Sequence, residues 1–281
     1  MVDRPTAVTS TSTVLVEVDD GVATLMMSRP ERRNAISWQL LVDLVAALED
    51  VCVDPQVKAI VLTGAGSDFC VGADLARVAS DRRSDQDTRT LRGRSRDDDV
   101  ERLTFASRTA ELLVSCRKPT VAKVNGACAG AGLSLALATD FRIAAPRTVV
   151  NTAFVGAGVS GDLGSAWLLA RAVGDARART LLLDPTKMTA EEALRAGILT
   201  EVSTDLDARV AALTDRLVWQ PPTAMAFAKD NLADAASLTF LEYLRQEIPR
   251  MVDSAASEDA QEAARAFLQR PPVQPSGESP R

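Results

Sequence analysis

Two glycine- and alanine-rich turns hold most of the chemistry this sequence can offer. The first is Gly64–Leu75, GAGSDFCVGADL, and the second is Gly126–Leu135, GACAGAGLSL. Each follows a short apolar run that reads as a strand, Ala59–Thr63 and Thr120–Val124, and each leads into a helical pattern. Small residues at such turns leave backbone N–H groups open to close approach by a ligand. Set side by side, two turns of this kind aim two N–H donors at one oxygen, an arrangement that stabilises negative charge as it develops there.

The rest of the composition narrows what those donors could serve. The chain has 281 residues and no histidine. A Ser-His-Asp or Cys-His pair is therefore excluded, as is any His-ligated metal site. Acid–base work falls to a carboxylate, Lys, Tyr or Cys with a shifted pKa, or to water. Thirty-eight acidic against 32 basic residues, a net charge of −6, argue against a general nucleic-acid binder. Cys52, Cys70, Cys116 and Cys128 show no C-x-x-C spacing and read as buried thiols of a reducing compartment, with no metal site. There is no G-x-x-x-x-G-K-[ST], nor a G-x-G-x-x-G with its acidic ribose partner. No run approaches a membrane span, and the first residues lack the apolar core of a signal peptide, so a cytoplasmic location is expected.

The elements that must position the turns follow from periodicity. Residues 1–12 read as a frayed tail. Val14–Val18 and Val22–Met27 flank Asp19-Asp20-Gly21 as a hairpin. Leu40, Leu41, Leu44, Val45, Leu48 and Val51 recur at helical spacing. Residues 81–99 hold six Arg and six Asp with a single Leu, and read as a mobile charged insertion, or alternatively as a solvated helix face. A helix is expected over 100–115, and strands over 141–144 and 149–154. Thr189 to Glu192 forms a capping box, with Gly197 as the C-terminal glycine. Helices over 207–219, 222–236, 239–254 and 257–269 close the chain, and 271–281 is a Pro-rich tail. Strands and helices alternate early and helices dominate late, which makes the fold α/β, with a core over 13–206 and a helical part over 207–270.

Taken in order, the two turns and Arg29–Ser37 (RPERRNAIS) resemble the crotonase superfamily of enoyl-CoA hydratases and isomerases. The resemblance covers about residues 13–270. It rests on Val71-Gly72-Ala73-Asp74-Leu75, Asn125 to Ala136 followed by Asp140, Phe154–Gly174 and Lys187–Gly197. It implies a spiral of ββα units with a helical C-terminal trimerisation part, a homotrimer or dimer of trimers, and an acyl-CoA thioester substrate. No cofactor is implied beyond the coenzyme A of that substrate. By the same resemblance, the backbone N–H groups of Ala73 and Ala131 form the oxyanion hole, Ala131 standing where relatives usually carry Gly. Arg33, Ala35, Ile36, Asp74 and Leu75 fall where relatives grip the coenzyme A portion, and Phe267 and Arg270 match a C-terminal aromatic and base that approach it.

Two departures from the family pattern bear on mechanism. Hydratases of this family use two glutamates around a water. Here those positions hold Ser134 and Phe154, which the resemblance places against the substrate, so hydration in that form is not expected. The remaining carboxylate is Asp162, in Ser160-Gly161-Asp162-Leu163-Gly164, where related isomerases carry a proton-shuttling Asp. One carboxylate suffices for a 1,3-proton shift, and desolvation would raise its pKa. Asp162 could equally be the N-cap of the helix that begins near Gly164. A protein that binds acyl-CoA without turning it over is the alternative function.

Overall fold

The computed structural model describes residues 9–10, 13–74 and 95–268. They fall into two compact units, residues 1–218 and 219–281. The first unit is α/β and contains, in chain order, β1 (Thr9–Ser10), β2 (Val14–Asp19), β3 (Val22–Met27), α1 (Trp38–Val53) and β4 (Ala59–Gly64). It continues with α2 (Arg96–Ser115), β5 (Thr120–Val124), β6 (Ala127–Ala129), α3 (Ala131–Leu137), β7 (Phe141–Ala144) and β8 (Val149–Asn151). It closes with α4 (Ser165–Val173), α5 (Asp175–Leu183), β9 (Met188–Thr189), α6 (Ala190–Ala196), β10 (Glu201–Val202) and α7 (Leu206–Val218).

Seven strands form one sheet in the order β1-β2-β3-β4-β5-β7-β10, and β6-β8-β9 form a smaller one. The hairpin β2–β3 is antiparallel, with Asp19 opposite Val22. Its two-residue loop takes positive φ at both Asp20 and Gly21, the backbone twist that matches paired strands. From β3 onward the large sheet is parallel. Every residue of β4 is buried, as a strand covered on both faces requires. Ile60 and Leu62 join α1 and α2 in the main core. Val61 points the other way and joins Val121, Ile143 and residues Leu206, Val210 and Leu213 of α7.

This packing places α7, the first helix of the helical part expected over 207–270, in the first unit, and the second unit begins at Trp219. Four expectations are corrected. Thr9–Ser10 pair with β2, although the tail was read as frayed to residue 12. The small strand β6 stands where only a turn was expected. The strand expected over 149–154 stops at Asn151, whose Oδ1 accepts the Ala153 N–H at 3.0 Å while Ala153 turns to φ 60°. The charged insertion ends earlier than expected, because Ser95 caps α2, accepting the Asp98 N–H at 3.2 Å. Asp97, Asp98 and Asp99 then sit in the first helical turn, where negative charge complements the positive end of the helix dipole. Residues 81–94 lie outside the described residues.

The second unit consists of α8 (Pro222–Ala235), α9 (Phe240–Ala256) and α10 (Glu258–Leu268). Among its described residues none is buried in the helices α8 and α9, and Trp219, Leu232, Phe240, Leu241, Met251 and Val252 are exposed.

Candidate active site

The site starts from strand adjacency. β4 and β5 are parallel neighbours, with Ile60 opposite Thr120 and Thr63 opposite Lys123. Both glycine-rich turns therefore leave the same edge of the sheet, at the carboxyl ends of adjacent strands. An isolated bridge between Cys70 and Cys128 locks them together: the Cys70 N–H donates to Ala127 O and the Ala129 N–H to Cys70 O, both at 3.0 Å. A Cβ on Gly72 would lie 3.0 Å from Ala129 O and 3.5 Å from Gly130 Cα. A Cβ on Gly132 would lie 2.5 Å from Cys70 O and 2.7 Å from Cys70 Cβ. The glycines are thus set by the close approach of the two turns.

Ala73 and Ala131 sit on these abutting segments. Ala73 bridges Ile36: the Ile36 N–H donates to Gly72 O at 2.8 Å, and the Asp74 N–H to Ile36 O at 3.0 Å. Those bonds use the residues flanking Ala73, so its own N–H is turned away from Ile36. Ala131 opens α3, where first-turn N–H groups have no intrahelical acceptor. The left-handed backbone at this turn falls on Gly130, φ 52°, and not on Ala131, so a Cβ is accommodated there. Neither N–H has an acceptor among the described residues.

Ser134 lies one turn further along α3 and is fully buried. Its hydroxyl faces Gly130 O at 3.4 Å and Asp162 O at 3.3 Å. Phe154 is buried as well, with its ring edge 3.8 Å from where a Gly130 Cβ would stand. Neither residue brings an acid or a base.

Asp162 does. Its Oδ1 is buried and has no hydrogen-bond partner among the described residues. Burial pushes its pKa up to about 6, and its charge is felt by the Cys70 thiol. The N-cap reading is overturned: the cap of α4 is Gly164 in the left-handed region, with no side-chain capping bond. Asp162 contributes only its backbone oxygen, which accepts the Ser165 N–H at 2.9 Å. The chain around it is contorted, with positive φ at Gly161, Leu163 and Gly164. For Leu163 that conformation costs about 1–2 kcal/mol, and its full burial holds it there.

An arginine cluster organises the approach to Ala73. A short 3-10 turn at Pro30–Arg32 fans out three guanidiniums. Arg29 donates to Asp74 Oδ2 at 3.1 Å and to Ala35 O, and Arg32 binds both Asp74 oxygens. Burial works to raise the Asp74 pKa, but the Arg32 and Arg29 hydrogen bonds win and hold it low. The Asp74 carboxylate is thus committed within the protein, paired with Arg29 and Arg32. Arg33 donates through Nε to Asp68 Oδ2 at 2.8 Å, yet its side chain stays 61% exposed. Asp68 also accepts the Ala127 N–H at 2.8 Å, and the Arg33 hydrogen bond leads the causes that lower its pKa. Asn34, fully buried, donates to Ala65 O and Asp68 O at 2.9 and 2.7 Å.

Sequence reasoning did not single out Arg29, Arg32, Asn34 or Asp68. The signal for the first three was the R-x-x-R-R-N spacing, which a tight turn converts into a fan; Asp68 lies in the first glycine-rich turn with no such signal. Phe267 lies in α10 of the second unit, whereas Leu75 and Arg270 lie outside the described residues. Among the described residues no group of three or more metal-ligating side chains is found.

A parallel sheet that presents two locked glycine turns, with a carboxylate beside them, defines a crotonase-type fold. The enoyl-CoA hydratase/isomerase family matches residues 17–275. "Probable enoyl-CoA hydratase EchA14" of Mycobacterium tuberculosis is 34% identical over 240 residues, covering 85% of this chain and 89% of that protein. The 1,2-epoxyphenylacetyl-CoA isomerase of Escherichia coli is 33% identical over 257 residues, covering 91% and 95%. The crystal structure of an enoyl-CoA hydratase from Polaromonas sp. JS666 superposes with a TM-score of 0.82 at 28% identity, covering 91% of this chain and 96% of that one. The chain belongs to the enoyl-CoA hydratase/isomerase family.

Proposed function

We propose that this protein isomerises an acyl-CoA thioester by a proton shift that Asp162 carries. The thioester oxygen rests against the N–H groups of Ala73 and Ala131. Asp162 takes a proton from a carbon of the acyl chain, the oxygen gains enolate charge, and the resulting carboxylic acid returns the proton to another carbon. The observation that supports this reading is the buried, unpartnered Oδ1 of Asp162 beside a site whose Ser134 and Phe154 bring no acid or base. Relatives named as a hydratase and an isomerase both act on coenzyme A thioesters by their names, and that shared portion is the substrate class taken here. The reaction uses no cofactor besides the coenzyme A of the substrate.

The test is turnover of 3-enoyl-, dienoyl- and 2-enoyl-CoA panels by wild type and Asp162→Asn. Isomerised product that depends on Asp162 supports the proposal. Equal rates remove Asp162 from the mechanism, and tight binding without turnover by wild type favours the acyl-CoA binder instead.

The same reading includes a homotrimer or dimer of trimers in the cytoplasm. Its support is the apolar surface of the second unit, where Trp219 is 86% exposed. No described helix is long and apolar enough to cross a membrane. Light scattering on the purified chain tests the assembly, and a monomer at micromolar concentration overturns it.

A further inference from the structure

Away from the site, α1 and α2 end beside one another and bring two thiols together. Cys52 is the penultimate residue of α1 and Cys116 is the C-cap of α2. Their sulfurs lie 3.0 Å apart. Lys118 reaches across the same junction, donating through Nζ to Val51 O at 2.7 Å and Asp54 O at 2.5 Å. Burial lowers the Lys118 pKa, while negative charge on Cys116 or Cys52 would favour its ammonium form. Helix carboxyl ends carry partial negative charge, which opposes a thiolate, and the lysine supplies the compensating cation. The two remaining cysteines differ in kind. Cys70 and Cys128 are fully buried, and burial pushes both thiols up, Cys70 to about 12. Cys52 is only half-buried, so a small reagent can reach it.

We propose that Cys52 and Cys116 form a dithiol modification site that a small organic disulfide converts into an intramolecular disulfide, with Lys118 promoting the reaction. The Cys52 thiolate attacks one sulfur of the disulfide, forming a mixed disulfide and expelling one thiolate. The Cys116 thiolate then attacks the Cys52 sulfur and expels the second. Two protein thiols are oxidised, one disulfide is reduced to two small thiols, and these carry away both protons. The new bond joins the end of α1 to the end of α2, which already pack together in the core. The chain it encloses includes the Gly64–Leu75 turn.

The full-length protein is incubated with oxidised glutathione under native conditions, alkylated, and digested without reduction for peptide mass mapping. The expected product is a single species linking the Cys52 and Cys116 peptides, dissolved by dithiothreitol, with Cys70 and Cys128 alkylated only after unfolding. Cys116→Ser is expected to retain glutathione on Cys52, and Lys118→Gln to react several-fold more slowly. Glutathione persisting on Cys52 of the wild type, or both thiols remaining alkylatable, overturns the site. An unchanged rate in Lys118→Gln overturns the role of the lysine. The wild-type map decides the main question even if the serine variant fails to fold.

Discussion

The Ser134 hydroxyl lies 3.3 Å from the backbone oxygen of Asp162, within donating distance, and the Ser165 N–H reaches the same oxygen at 2.9 Å. Asp162 is therefore held from α3 on one side and from the start of α4 on the other. By the resemblance, Ser134 occupies a position where hydratases of the family carry a carboxylate; on the proposed function, its contact with Asp162 O would help to position the proton carrier. Ser134→Ala is expected to cost about 1 kcal/mol of stability, the ordinary net worth of such a bond. It is also expected to lower kcat more than it raises KM, because what is lost is orientation and not substrate contact. Urea unfolding and steady-state kinetics check both. An unchanged kcat shows that the contact positions nothing catalytic.

Asp162 also weakens the fold it serves. Its pKa is about 6 in the folded chain against 3.8 for the unperturbed group. The unfolded chain thus releases this proton at lower pH than the folded one. Its contribution favours folding at the acid end and is lost as pH rises from about 4 to about 6, a change of roughly 3 kcal/mol. Asp162→Asn removes this dependence. The variant is expected to be more stable than wild type at pH 7, equal or less stable near pH 3, and inactive. Thermal unfolding at several pH values measures the difference. For the wild type, kcat/KM is expected to rise with pH through about 6, as the base form of Asp162 accumulates.

The fold was legible wherever local chemistry and packing agree. The Asp19-Asp20-Gly21 turn, the apolar run of β4 and the Thr189–Glu192 capping box each state their conformation within a few residues, and the structure has all three. What was not legible depends on distant partners. Nothing local says that Val210 and Leu213 of α7 face Val61 and Val121 of the sheet, so α7 was grouped with the helices that follow it. The site shows the same limit. Ala73 and Ala131 stand on abutting turns because β4 and β5 are neighbours, a long-range pairing. Asp74 falls where the resemblance puts the grip on coenzyme A, and the structure adds that Arg29 and Arg32 bind its carboxylate, a contact across some forty residues that spacing alone does not reveal.

Gly132 is a sharper test of how the two turns are held than either alanine. A Cβ there would fall 2.5 Å from Cys70 O, a backbone atom that cannot step aside. Gly132→Ala is expected to push α3 away from the Cys70 segment, destabilise the chain by about 1–3 kcal/mol, and reduce kcat by separating the Ala73 and Ala131 donors. Ala131→Gly keeps the N–H and the space, and costs at most about 1 kcal/mol through helix propensity. The pair of variants is read together by unfolding and turnover. A Gly132→Ala enzyme with wild-type kcat means that the spacing of the turns does not govern the reaction.

Arg33 and Asp68 are expected to divide binding from positioning. Asp68 ties the first arginine-bearing turn to the second glycine turn, accepting Arg33 at 2.8 Å and the Ala127 N–H at 2.8 Å. Arg33 keeps most of its side chain in solvent, where, on the proposed function, its charge would meet the phosphates of a coenzyme A portion. Replacing Arg33 by Met leaves Asp68 bound to Ala127, so the turn keeps its register. The expected result is KM raised several-fold with kcat unchanged, the mark of an interaction equal in ground and transition states. That difference should shrink as salt is raised, because the attraction acts through solvent. Asp68→Ala instead releases the Ala127 N–H and should lower kcat. Kinetics of both variants at low and high salt separate the roles. A fall in kcat for Arg33→Met, unaffected by salt, would assign Arg33 to holding the turns and not to binding substrate.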